Sequence, residues 1–281
     1  MVNYAEAVHA SPALTADQLA AFARDGYLVI DGFLSEAEIA PLEAVFDRFL
    51  QGDPALVDSM GQDFCDMSGP YDRAFADFNI VNAVLPRKYA PELVGNLFEQ
   101  RAQALAEQII GPEAQLDYDQ FLSKRPGREQ AVFAWHQDLG YWPTGTPDTR
   151  TTTFSLALDD ANPENGCLQV VPGSHLEPEL RPHRPAFRTD PKTGLREQAH
   201  TLTIDLTAED QVKFLPVKRG GITIHNERIV HGSAGNPSPN WRRTYILAHR
   251  PRATVAFERS IGFTHSHNDE VAWETYLDAL R

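Results

Sequence analysis

The chain has 281 residues, 42% of them hydrophobic, enough for one large domain with a substantial core, or for two small ones if a linker divides them. A formal net charge of −14, with no basic cluster to offset it, argues against nucleic acid or an anionic membrane as the main partner. Two cysteines, Cys65 and Cys167, are too few for a disulfide framework or a thiolate zinc site. The opening "MVNYAEAVHASPALT" has neither a basic start nor an apolar run, and no stretch approaches the ~18 apolar residues of a membrane span. A soluble cytoplasmic protein is expected.

"TADQLAAFARDG" predicts a helix opened by a Thr15–Gln18 capping box and closed near Gly26. "YLVIDGFL" reads as a short strand and turn. "SEAEIAPLEAVFDRFLQG" predicts a second helix, with Ser35 and Glu38 as its box and Gly52 as its stop. Leu42, Val45, Phe46 and Phe49 fall at helical spacing and form its expected buried face. Residues 53–90 read as an irregular loop, functional or mobile, in which Phe64, Tyr71, Phe75 and Phe78 serve as a lid or as plain packing. "PELVGNLFEQRAQALAEQIIG" predicts a third helix ending at Gly111.

From residue 116 the pattern turns to short β-like runs: "LDYDQFLSK", "AVFAWHQDLGYW", "TTTFSLALDD" and "CLQVVPGSH", then, after a long polar stretch, "QVKFLPVKRGGITIHN", "RIVHGSAGN" and "RRTYILAHR". Strands at such spacing without intervening helices predict an antiparallel sandwich or barrel at about 115–255, behind a helical layer at about 15–110. No linker, repeat or low-complexity segment interrupts it, so a single domain over 1–281 is expected.

In "AWHQDLGYWP", His136 and Asp138 stand one residue apart, and a strand would turn both to one face. That spacing alone does not separate a metal site from a polar interruption. His231, at the end of a strand-like run, supplies a third ligand, and Arg242 opens the strand beyond the next turn. Two histidines and a carboxylate form a facial triad that leaves three adjacent positions open on octahedral iron(II). An arginine fork suits a carboxylate in a way that lysine does not. Arg243 is the rival for that role, but neighbouring strand residues face opposite ways, so only one enters the site.

The segments "WHQDLGYWP", "DDANPENGCLQVVPGSH" and "HGSAGNPSPNWR", with the opening "DGYLVIDGFLS", resemble the phytanoyl-CoA dioxygenase family of iron(II)/2-oxoglutarate oxygenases, which includes ectoine hydroxylase. The resemblance covers most of residues 15–255. It implies a mainly β fold, a double-stranded β-helix (jelly roll) with helices packed on one sheet. It implies Fe(II), 2-oxoglutarate and O₂ as cofactor and co-substrates, with ascorbate supportive, and a small-molecule substrate bound by a monomer or homodimer. Carried over residue by residue, His136, Asp138 and His231 become the iron ligands and Arg242 the partner of the far 2-oxoglutarate carboxylate. Ser233 would add a hydrogen bond there, and Gln120 would lie against the co-substrate. Ser155 stands where the family often has tryptophan, which puts the packing beside 2-oxoglutarate in doubt. The reaction implied releases succinate and CO₂ and hydroxylates, desaturates or cyclises a C–H bond. Related halogenases lack the acid that Asp138 provides here. Competing readings are a non-oxidative metal enzyme on the same barrel and a 2-oxoglutarate-binding protein without turnover.

Other polar residues have plainer readings. His175 fits a structural hydrogen bond in a turn, and His225 a place behind the ligands or in the core. "THSHNDE" fits a solvated loop better than a second metal site. Tyr141 and Trp142 fit a pocket wall and ordinary core equally well. Gly220–Gly221 is a turn, without the downstream pattern of a dinucleotide site.

Overall fold

The computed structural model describes residues 12–143, 145–189 and 196–269. Helix α1 (Ala16–Asp25) opens on the expected box, with Gln18 N donating to Thr15 Oγ1 at 3.1 Å and Thr15 N donating to Gln18 Oε1 at 2.9 Å. Gly26 ends it at φ 82°, where a Cβ would lie 2.5 Å from His175 Nδ1, so only glycine fits. Strand β1 (Tyr27–Ile30) follows, then α2 (Glu36–Leu50) with its Ser35–Glu38 box. Leu42, Phe46 and Phe49 are buried as the spacing predicts, joined by Ile39, while Val45 sits half-buried at the margin.

The stretch 53–90 departs from expectation. It holds α3 (Pro54–Val57), β2 (Phe64–Asp66), β3 (Ile80–Val84) and α4 (Pro86–Tyr89) rather than one irregular loop. Every residue of β3 is buried, so the strand shows no alternation for a sequence reading to find. The rings of Phe64, Phe75 and Phe78 pack on one another at centroid distances of 5.6, 5.8 and 5.4 Å, which assigns them to packing. Helix α5 (Leu97–Ile109) begins later than predicted. Pro91–Leu93 is a separate 3₁₀ turn, and Asn96 caps α5 by accepting from Glu99 N at 3.0 Å.

The remaining strands are β4 (Ala114–Lys124), β5 (Phe133–His136), β6 (Thr152–Ala157), β7 (Leu168–Val170), β8 (Arg184–Thr189), β9 (Arg196–Thr203), β10 (Lys213–Leu215), β11 (Ile222–His225), β12 (His231–Ser233) and β13 (Arg242–Pro251), followed by helix α6 (Arg252–Ser260). One sheet runs β1-β11-β6-β13-β4-β3-β2 and a facing one runs β10-β7-β12-β5, all antiparallel. Through the core the chain crosses from sheet to sheet: β4, β6, β11 and β13 belong to the first, β5, β7, β10 and β12 to the second. That interleaving is a double-stranded β-helix, or jelly roll. The hairpin β8–β9 arises from the stretch that reads as merely polar.

Alternation sorts the larger sheet into two faces. Phe121, Phe154, Leu156, Ile222, Ile224, Tyr245 and Leu247 point outward into a core shared with α2 and α5. Phe121 lies at its centre, 4.1 Å from the Phe46 ring and 4.5 Å from that of Tyr245. Their strand neighbours Gln120, Leu122, Ser155, Thr223, Thr244 and Ile246 point inward, between the sheets. Among the described residues no helix is long and apolar enough to cross a membrane. Replacing Phe121 with alanine should cost about 3–5 kcal/mol of stability. Urea unfolding should show a lower midpoint at unchanged slope, and an unshifted midpoint would remove Phe121 from the centre of this core.

Candidate metal centre and its cavity

β12 lies antiparallel beside β5 with His231 directly opposite His136, and the two rings sit 4.2 Å apart. The spacing places Asp138 on the strand with His136, but β5 ends at His136 and a 3₁₀ turn begins at Asp138. Gln137 stays extended (φ −121°, ψ 126°), and that one residue preserves the alternation. Asp138 Oδ1 therefore lies 3.2 Å from His136 Nε2 and 3.4 Å from His231 Nε2. The three ligand-capable atoms all fall within 4.8 Å of one another.

Local hydrogen bonds aim these groups. His136 Nδ1 meets Ala134 O at 2.7 Å and His231 Nδ1 meets Ile229 O at 3.0 Å. A carbonyl can only accept, so each Nδ1 carries the proton and donates, which leaves each Nε2 lone pair facing Asp138, the tautomer a metal requires. Burial and the neighbouring His231 lower the His136 pKa and keep the ring neutral. Burial works to raise the Asp138 carboxyl, but the surrounding imidazoles, His231 foremost, outweigh it and hold it well below the usual range. His225, on the inner face of β11, meets the other oxygen, Oδ2, at 3.1 Å. Gln137 points away and clamps the turn, donating to Arg228 O at 2.6 Å and accepting from Arg181 N at 2.8 Å.

The cluster opens on a cavity of about 200 Å³ between the sheets. Gln120, Ser155, Ser233 and Arg242 all line it. Gln120 donates to Asn82 Oδ1 on β3. Arg242 is 8% exposed, its Nε has no hydrogen-bond partner, and burial pulls its pKa down to about 10. Arg243 faces the other way and pairs with Glu43 at 2.5 Å, Asp159 at 2.8 Å and Asp47 at 3.0 Å. Sequence reasoning missed Lys124, fully buried opposite Arg242 in the β4–β13 register, whose Nζ donates to Ser233 Oγ at 2.6 Å and to Ala234 O. Its signal was present: Lys124 shares a strand face with Gln120 and Leu122.

Several plainer readings change. His175 caps α1 through a contact of 3.1 Å from Nε2 to Ala23 O, the expected structural bond. Tyr141 and Trp142 line the cavity, and so does Tyr71, whereas Phe64, Phe75 and Phe78 do not. "THSHNDE" is not solvated at its histidines: His265 and His267 form part of the cavity wall. The approach of His267 N and Ser266 Oγ to Asp63 Oδ1, at 2.7 and 2.9 Å, pins that segment in place. His265 Nε2 lies 2.8 Å from Asp117 and 3.2 Å from Glu258. Arg250 reaches Asp117 at 2.9 Å and Glu227 at 3.0 Å, and its guanidinium covers the Trp142 ring at 3.8 Å. Such a set of partners, split between residues 117 and 265, leaves no local sequence pattern.

The family profile described as phytanoyl-CoA dioxygenase matches residues 22–244. The ectoine dioxygenase of Bordetella parapertussis is 29% identical over 243 residues, covering 84% of this chain and 74% of that protein. The ectoine dioxygenase of Nocardia farcinica is 28% identical over 246 residues, with 82% and 76% covered. Among solved structures, EvdO2 from Micromonospora carbonacea var. aurantiaca superposes with a TM-score of 0.65 at 26% identity, covering 85% of this chain and 91% of that one. EctD from S. alaskensis, solved with 2-oxoglutarate and 5-hydroxyectoine, reaches a TM-score of 0.63 at 23% identity, with 88% and 79% covered, and speaks for the fold.

The His265 contacts yield a pH dependence. Burial disfavours the charged ring, but Asp117 outweighs it and raises the pKa above its ordinary value. A raised folded pKa gives stability that is full below the unfolded value of roughly 6.5 and is lost as pH rises through the folded value. His265→Gln should therefore destabilise the protein more at pH 6 than at pH 9 in paired urea titrations. Equal losses at both would mean that the ring is uncharged in the folded state.

Proposed function

The chain belongs to the phytanoyl-CoA dioxygenase family, and from that premise we propose that it hydroxylates an unactivated C–H bond of a small molecule at a centre formed by His136, Asp138 and His231. It is a non-haem iron, 2-oxoglutarate-dependent dioxygenase that uses Fe(II), 2-oxoglutarate and O₂. The observation that carries the site assignment is the pairing, in one cavity, of this three-ligand cluster with a buried arginine that no carboxylate of the described residues neutralises. Such an unpaired cation calls for an anionic ligand, and the far carboxylate of 2-oxoglutarate fits it.

The donor set fits ferrous iron: two neutral imidazoles with Nε2 free and one ionised carboxylate, sharing one corner and leaving adjacent positions open. When bound, iron supplies the O₂ activation, coupled to decarboxylation of 2-oxoglutarate to succinate and CO₂, that an inert C–H bond demands. The chain does the rest. Arg242 would meet the far carboxylate of 2-oxoglutarate, and Ser233, held from behind by Lys124, would add a hydroxyl. Gln120 and Ser155 lie on the same inner face, where the small Ser155 widens the space beside the co-substrate. His225 holds Asp138 Oδ2, so the carboxylate turns only Oδ1 toward the metal. Tyr141, packed edge-on to His136 at 5.6 Å, and Trp142 keep water from the cluster. With Asp138 filling the third ligand position, no place beside the metal would be left for halide.

Two outcomes test this. Arg242→Leu should weaken 2-oxoglutarate binding by about 2–5 kcal/mol, as expected when a buried charge partner is lost, whereas Arg243→Leu should change it little; isothermal titration under anaerobic Fe(II) would reveal an inverted ranking. A substrate screen read by succinate release should give a product one oxygen heavier by mass, and His136→Ala should lose both iron and turnover. A chlorinated product in chloride buffer, or iron retained by the variant, would defeat the assignment.

A further inference from the structure

The cavity is electrostatically lopsided. At the Arg242 end a buried guanidinium has no carboxylate among the described residues to balance it. Away from that end, the charged side chains on the wall apart from Asp138 are Arg250, Glu227 and His265, and each already has its counter-ion. Arg250 holds Asp117 and Glu227, and His265 holds Asp117 and Glu258. Burial pushes Glu227 up to about 8, and Arg250 retains Asp117 whether or not Glu227 carries its proton. His267 is kept neutral by burial. Asp117, Glu258 and His265 place ligand-capable atoms within 4.8 Å of one another, yet Arg250 and Arg259 both contact Asp117, which bars a cation. A charged group entering this half would have to break a buried pair or go unpaired, and either is costly.

What this half does offer is neutral. The Tyr118 hydroxyl has no hydrogen-bond partner among the described residues. It stands on the inner face of β4, two residues from Gln120, with its ring 5.3 Å from that of His265. Phe263, its ring 4.5 Å from that of His265, and Met67 supply apolar wall in this half. We propose that this half of the cavity binds an uncharged, largely apolar substrate that hydrogen-bonds Tyr118 through a hydroxyl, ether or carbonyl oxygen, and that carboxylates, phosphates and ammonium groups are excluded from it. The proposal rests on the oxygenase reading above and names the substrate class for that site.

The test uses the anaerobic protein loaded with Fe(II) and 2-oxoglutarate, whose visible charge-transfer band shifts when a substrate seats beside the metal. Cyclic alcohols and lactones of several ring sizes are titrated against the carboxylate, ammonium and oxygen-free analogues of the same frameworks, with zwitterionic ectoine as a further probe. Neutral oxygen-bearing members should bind at least roughly tenfold more tightly than their charged counterparts. Tyr118→Phe should weaken those members by about three- to tenfold and leave oxygen-free analogues unchanged. Charged members or ectoine binding as tightly as neutral ones, no neutral member binding, or equal weakening of both neutral sets by Tyr118→Phe would each overturn the proposal. Failure of the band to form at all would take down the oxygenase reading and this inference together, whereas a normal band with the wrong charge preference takes down this inference alone.

Discussion

The site depends on one register: His231 of β12 opposite His136 of β5. Shifting a strand by one residue reverses every side chain on it, so a slip of β12 would bury the His231 imidazole in the wall and leave Asp138 with only His136 and His225. The irregularity between His231 and Ser233 lies just beyond the pair. β7 flanks β12 on its other edge, and Val171 N, donating to Val230 O at 2.8 Å, ties the approach to His231 in place. The facing of the two imidazoles is therefore a property of the sheet, and the turn after β5 adds Asp138 to them.

The same parity rule governs charge on the larger sheet. Arg242 and Arg243 are chemically identical neighbours, yet one is buried without a carboxylate among the described residues and the other is held by three. The acidic partners of Arg243 come from α2 and from the turn after β6, so the helical layer neutralises the outer cation and leaves the inner one for a ligand. Helices packed on this sheet thus do more than cover apolar surface. They decide which arginine is available.

Much of this was legible in the residues. The capping boxes, the buried face of α2, the run of β-strands and the inward turn of Arg242 follow from local spacing and alternation. The jelly roll followed from motif resemblance, because connectivity between sheets is not written in any one strand, and the roles proposed for the cluster rest on the same resemblance. β3 was missed because burial on both faces erases alternation, and Asp138 was placed on a strand because one extended residue mimics strand parity. Lys124 was passed over as an ordinary charged residue at a strand end. The burial of His265 and His267 was out of reach, since their partners Asp117 and Asp63 lie some 150 to 200 residues away.

That last separation bears on how the molecule is assembled. Asp63 is completely buried, and Ser266 and His267 hold it together with Tyr89, whose hydroxyl donates at 2.7 Å. On a ribosome, residues 60–90 emerge long before 266, and until then the Asp63 carboxylate lacks two of its donors and stays hydrated. The layer around it can settle only loosely until the late segment arrives. The wall that shapes the cavity closes last in the order of synthesis, and a nascent chain can align His136 with His231 before the pocket beside them has its final shape.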